Sequence, residues 1–115
     1  MRSGFERTLA ASLKKRKVAF EYETLKLPYT QSHIYKPDFI LANGVIIEAK
    51  GRFRAGGGEA AKMIAVKKQH PDLDIRFCFW DAHARISGQK QSYAQWAEKN
   101  GFLWCHEEIP DEWLK

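Results

Sequence analysis

Cysteine is scarce in this 115-residue sequence: only Cys78 and Cys105 occur, far apart and in no C-x-x-C metal-ligand spacing. No apolar segment of the secretory kind stands at the N-terminus, so a reducing, cytoplasmic setting is expected. Long hydrophobic runs are missing too. The longest, Phe39 to Leu41 and Val45 to Ile47, fall far short of a bilayer-spanning helix, which removes membrane-spanning functions. The four histidines, His33, His70, His83 and His106, share no ligand spacing and read as surface or capping residues. There is no internal repeat and no low-complexity tract. Acidic residues are the minority charge, fourteen against nineteen Lys and Arg, and the net charge of +5 favours a polyanionic partner through counterion release from phosphates. Charge alone is weak support, since many basic proteins bind no nucleic acid.

What the chain does have is a globular composition, 44% hydrophobic with four Trp, seven Phe and four Tyr, at the length of one domain with one core. Ser3 and Glu6 form an S-x-x-E capping box, and Phe5, Leu9 and Leu13 recur at helical spacing, which predicts a first helix over Gly4 to Arg16. Its basic end, Lys14, Lys15, Arg16 and Lys17, suits the helix dipole and is also a candidate DNA contact. From Val18 the period changes to two, predicting a strand that Pro28 ends or interrupts. Tyr29 to Lys36 shows no clear period and reads as a linker. Two apolar segments, Asp38 to Leu41 and Val45 to Lys50, flank Ala42-Asn43-Gly44 as a β-hairpin. A helix over Glu59 to Gln69, a strand over Ile75 to Trp80, a short helix capped by Ser92 and Gln95 and closed by Gly101, and a strand over Phe102 to Cys105 complete the order. The strands ending at Lys50 and Trp80 are expected to be parallel neighbours joined by the intervening helix. The fold class is α/β, a central mixed sheet flanked by helices.

Asp38, followed ten positions on by Glu48-Ala49-Lys50, matches the PD-(D/E)xK pattern of a large nuclease superfamily. The pattern alone is weak, and hairpin parity sharpens it. Side chains alternate along strands, so Asp38 shares a face with Glu48 and Lys50 only if the turn holds an odd number of residues. A two-residue Asn43-Gly44 turn would set Asp38 opposite Ala49. A three-residue Ala42-Asn43-Gly44 loop, with Gly44 left-handed, sets it opposite Glu48. Two carboxylates that close call for a divalent cation, Mg²⁺ with Mn²⁺ as substitute, and a nearby ammonium suits the phosphate under attack. The plain structural alternative is that Glu48 and Lys50 are ordinary polar residues of a half-exposed strand. Charges interrupting an apolar run are costly, which favours function. Arg52 and Arg54, just beyond, are candidate phosphate contacts or parts of a solvated loop. Trp80, Trp96, Trp104 and Trp113 read as core.

Nearly the whole chain resembles the phage endonuclease I family of junction-resolving enzymes, through Arg2-Ser3-Gly4 with Glu6, Phe20-Glu21-Tyr22-Glu23, Pro37-Asp38-Phe39, Glu48-x-Lys50-Gly51, Gln69-His70-Pro71 and Leu73-Asp74-Ile75-Arg76. The resemblance implies a restriction-endonuclease-like fold in one nuclease domain, with residues 1–28 carrying the first helix and strand, 29–36 an inter-subunit linker and 37–115 the catalytic core. It implies a homodimer whose chains exchange their first helices, catalytic residues Glu6, Asp38, Glu48 and Lys50, and a metal held by Glu6, Asp38 and Glu48. Glu6 has a competing role as partner of the Ser3 cap. The implied activity is Mg²⁺-dependent resolution of four-way (Holliday) junctions and other branched double-stranded DNA by paired nicks. Two alternatives stand beside it, a related nuclease cutting mismatched or flapped DNA and a DNA-binding module without catalysis.

Overall fold

Leu9, Ala10 and Leu13 recur at helical spacing, and helix α1 (Gly4–Lys15) buries all three against one face of a β-sheet. The computed structural model describes residues 4–23, 25–29, 33–53, 58–86 and 89–115. Its strands are β1 (Phe20–Tyr22), β2 (Leu27–Tyr29), β3 (His33–Tyr35), β4 (Phe39–Leu41), β5 (Ile46–Lys50), β6 (Ile75–Phe79) and β7 (Leu103–His106). The five-stranded sheet runs β1-β4-β5-β6-β7. β1, β4 and β5 are antiparallel neighbours, and β5, β6 and β7 are parallel ones. This is the expected mixed sheet. It includes the parallel pair joined through helix α2 (Gly58–Gln69), the crossover that parallel strands require.

Strand alternation divides the core. Ile47 and Ala49 of β5 face α1 together with Phe39, Cys78 and Cys105. Ile46 faces the other way and joins Phe77 and Phe79 under α2 and helix α3 (Tyr93–Lys99), where Met63, Val66, Tyr93 and Trp96 complete an aromatic-rich layer. With helices on both faces, β5 is apolar on both sides until its last residues, where Glu48 and Lys50 break the run. The α3 cap is as expected: Ser92 Oγ accepts from the Gln95 N–H at 3.1 Å and Gln95 Oε1 from the Ser92 N–H at 2.8 Å, with Gly101 closing the helix at φ +79°. Cys78 and Cys105 are buried free thiols in register on β6 and β7.

Two expectations need correction. The stretch Tyr29 to Lys36, read as a linker, contains β3, which pairs antiparallel with β2 so that Pro28 lies opposite Ile34. Three-residue strands are too short to show a period. Burial of Tyr35, with Leu27 against the same core, holds them in place. The C-terminal end also carries an unexpected 3-10 helix (Asp111–Leu114), tied down where Asn43 Nδ2 donates to the carbonyls of Trp113 and Lys115 at 2.8 and 2.9 Å. Among the described residues no helix is long and apolar enough to cross a membrane.

Candidate active site

The hairpin between β4 and β5 has the odd loop that the parity condition demands. Phe39 lies opposite Ile47 and Ile40 opposite Ile46, and the Leu41 N–H donates to the Val45 carbonyl at 2.8 Å around Ala42-Asn43-Gly44. Gly44 takes φ +89°, a conformation that costs a residue with a Cβ, and its N–H donates to the Leu41 carbonyl at 2.9 Å. One step further along this register, Asp38 stands across from Glu48. Their contact is direct: the Asp38 N–H donates to Glu48 Oε2 at 3.1 Å, and the Ala49 N–H donates to Asp38 Oδ2 at 3.0 Å.

Glu48 is 1% exposed, and its Oε2 also accepts the Tyr35 hydroxyl at 2.7 Å. Its other oxygen, Oε1, lies 3.7 Å from Lys50 Nζ. Lys50 in turn donates to Glu59 Oε2 on α2 at 2.9 Å, and Lys62 lies 3.4 Å from the second Glu59 oxygen. From the opposite face comes Glu6, buried at 6% exposure in the first turn of α1, whose Oε2 accepts the Tyr22 hydroxyl. Carboxylate oxygens of Glu6, Glu23 and Asp38 lie within 4.8 Å of one another. Glu6, Asp38, Glu48 and Lys50 thus converge at one end of the sheet.

Crowded acids with little water around them resist ionisation. Burial, then the charge of Glu48, pushes the Asp38 carboxyl up to about 7, against the pull of Lys50 and the Ala49 N–H. Burial raises Glu48 as well, although Lys50 and the donors Tyr35 and Asp38 N–H act in the opposite direction. For Lys50, burial pulls the pKa down, but the charge of Glu48 and the bond to Glu59 outweigh it, so the ammonium is held protonated. Glu59 is lowered because the Lys50 bond and charge outweigh its burial. Burial and the charge of Glu48 drive the Tyr35 phenol upward, so it remains a donor.

Such a site has a surplus of negative charge and, among the described residues, hard oxygen donors facing it, the chemistry that suits Mg²⁺ or Mn²⁺ over softer metals. Glu6 and Asp38 belong to the observed oxygen cluster. Glu48, expected as the third ligand, has Oε2 engaged by Tyr35 and the Asp38 N–H, and Glu23 takes the third place in the cluster. Glu23 was not singled out from the sequence. The signal lay in the pairing of β1 with β4: Tyr22 lies opposite Phe39, so the next residue after β1 arrives beside Asp38. Glu23 also adopts φ +53°, which breaks the strand alternation that sequence reading relies on.

The remaining candidates are scattered. Lys14, Lys15 and Lys17 are exposed at the far end of α1, about 13 Å of helix rise from Glu6, and Arg16 there pairs with Asp111 of the 3-10 helix. Arg52 is exposed just beyond Lys50, while Arg54, Ser3 and the expected Ser3 cap lie outside the described residues. His106 accepts the Ala82 N–H through Nδ1 at 3.1 Å, a structural role as expected. Trp96 is core, but Trp80 is 62% exposed, contrary to expectation, because it follows the last paired residue of β6 with no described element packed over it.

Residues 1–115 match the phage endonuclease I family along their whole length. The chain is 36% identical over 118 residues to Endonuclease I of Escherichia phage T7, covering 99% of this chain and 78% of that protein. It is also 36% identical over 113 residues to Endodeoxyribonuclease 1 of Enterobacteria phage T3, covering 95% of this chain and 73% of the relative. A match of that extent, on a sheet that brings Glu6, Asp38, Glu48 and Lys50 together, places the chain in the phage endonuclease I family.

Proposed function

We propose that this protein is a divalent-cation-dependent DNA endonuclease that resolves four-way junctions and related branched DNA by paired nicks, acting as a homodimer in a reducing cytoplasm. The observation that carries the reading is the convergence of Asp38, Glu48 and Lys50 on the β4-β5 hairpin with Glu6 of α1 beside them. Its relatives are named as an endonuclease and an endodeoxyribonuclease, which makes DNA the substrate and hydrolysis of a phosphodiester the reaction.

Glu6, Asp38 and Glu48 would hold the cation, with Glu23 in the same oxygen cluster as Glu6 and Asp38. When bound, Mg²⁺ supplies positive charge against the phosphate and makes a water more acidic. The protein's own groups do the rest. Lys50 is protonated and braced by Glu59 and Glu48, so it serves as a fixed cation for charge developing on the phosphate and not as a base. Tyr35 and the Asp38 N–H lock one oxygen of Glu48, which holds the other toward Lys50. Burial on both faces of the sheet keeps these groups from reorienting, so little reorganisation accompanies reaction.

The test compares a labelled four-way junction with its own linear arms, a flap and a mismatched duplex, each with Mg²⁺, Ca²⁺ or EDTA. The expected result is cutting of the junction with Mg²⁺ or Mn²⁺ and binding with little cutting in Ca²⁺, a larger ion with a looser shell. Equal cutting of linear arms would remove junction selectivity. Preference for the flap or mismatch would favour the related nuclease, and undiminished cutting in EDTA would remove the cation. Binding without cutting under every condition would leave a DNA-binding module.

A further inference from the structure

Trp80 is the largest exposed apolar side chain among the described residues, and its indole is in neither a ring contact nor a hydrogen bond with them. Its backbone is fixed next to the catalytic strand, the Trp80 N–H donating to the Lys50 carbonyl at 3.1 Å, and Phe79 before it lies opposite Lys50 in register. Neighbouring strands are about 5 Å apart, so the Trp80 backbone stands one strand from the residue proposed to meet the phosphate. An open cavity of about 760 Å³ beside Trp80 is also lined by Arg52, Arg85, Asp81, His83 and Glu107. Neither arginine is in an ion pair with a described residue, whereas Glu107 is taken up by His106 Nε2 at 3.1 Å. The hollow thus holds two guanidinium groups unpaired among the described residues beside the carboxylates of Asp81, whose Oδ1 accepts the His83 N–H at 3.2 Å, and Glu107, and Trp80 is its exposed apolar wall.

We propose that Trp80, with Arg52 and Arg85, forms a stacking subsite that receives an unpaired or unstacked base of the DNA next to the phosphate to be cut. A flat aromatic face beside guanidinium groups is the surface on which a base stacks while its backbone meets cations. Branch points present bases that are already partly unstacked, so the cost of bringing one out is least there, and the subsite would favour branched over continuous duplex. The inference rests on the proposed reading that DNA is cut at Lys50.

The test measures binding of a fluorescent four-way junction in Ca²⁺ by wild type, Trp80→Phe and Trp80→Ala, after the cut position has been mapped with Mg²⁺. Trp80→Ala is expected to bind about tenfold or more weakly, the loss typical of one stacked base, while Trp80→Phe keeps most of the affinity. A second junction carries an abasic site beside the mapped cut. Wild type should lose affinity on it to the same degree, and Trp80→Ala should lose little further. Independent, additive losses would overturn the proposal, as would unchanged binding by Trp80→Ala. A change of oligomeric state in Trp80→Ala by light scattering would overturn it in favour of a protein interface. Should Trp80→Ala fold poorly, the wild-type protein still decides the matter, because undiminished affinity for the abasic junction overturns the subsite. Failure of wild type to bind or cut any DNA would refute the nuclease reading itself, a result distinct from normal cutting that ignores Trp80.

Discussion

Replacing Tyr35 by Phe removes one hydroxyl from the interior and leaves the ring in place, so its effect isolates the 2.7 Å bond to Glu48 Oε2. Both side chains are below 2% exposure, so no bulk water replaces the lost donor, and the Asp38 N–H at 3.1 Å is the remaining partner of that oxygen. A hydrogen bond to a neutral group contributes about 0.5–1.5 kcal/mol, and one to a charged group about 1.5–3 kcal/mol. The cost should therefore depend on pH. The folded pKa of Glu48 is raised by burial, and the Tyr35 bond is one of the forces pulling it back down. Without that bond the pKa rises further, and the variant's fold keeps its proton to higher pH than the wild type's. Over that window the variant loses stability more steeply as pH rises, because its folded state binds a proton that the unfolded chain has released. For a domain of this size about 4 °C of melting temperature corresponds to each kcal/mol, so Tyr35→Phe should melt roughly 2–6 °C lower where folded Glu48 holds its proton and roughly 6–12 °C lower where it is ionised. Thermal unfolding in EDTA across a pH series reads this directly. A gap between the proteins that is absent, constant or narrower at high pH would refute the reasoning.

Lys50→Ala should abolish cutting while leaving junction affinity in Ca²⁺ nearly intact, because one ammonium adds little to a surface of many phosphate contacts; a large loss of binding with normal turnover would make Lys50 a docking residue. The cation-free protein should lose stability as pH rises from about 4 to about 7, by up to about 1.4 kcal/mol per unit, since folded Asp38 holds a proton there that the unfolded chain has given up. Saturating Mn²⁺ should flatten that slope in urea titrations, and an unchanged slope would mean that Asp38 is no ligand. Glu23→Gln should weaken Mn²⁺ binding by calorimetry several-fold with the fold intact by circular dichroism; unaltered affinity would return Glu23 to a structural role. If the chains exchange their first helices as the resemblance implies, a co-expressed mixed dimer of Glu6→Ala and Asp38→Ala should nick one junction strand, because one of its sites then combines an intact Glu6 with an intact Asp38. A wholly inactive mixed dimer that still folds and binds the junction would place each site within one chain.

Local arithmetic determines much of this protein. Alternation along a strand and the count of three residues between Leu41 and Val45 put Asp38 opposite Glu48, because both depend only on neighbours in the chain. The Ser92 and Gln95 cap and the β5-α2-β6 crossover were legible for the same reason. Other features depend on contacts between distant segments, which no window of sequence contains. Glu23 reaches the site only because β1 pairs with β4 and the backbone then turns to positive φ. Tyr35 became the partner of Glu48 through a strand too short to show a period, and Glu59 became the partner of Lys50 through packing of α2. Trp80 and Trp96 are the same residue type, and the sequence assigns both to the core. The tertiary structure separates them, because burial depends on what packs above a side chain: α3 carries Trp96 into the core, while nothing described covers Trp80.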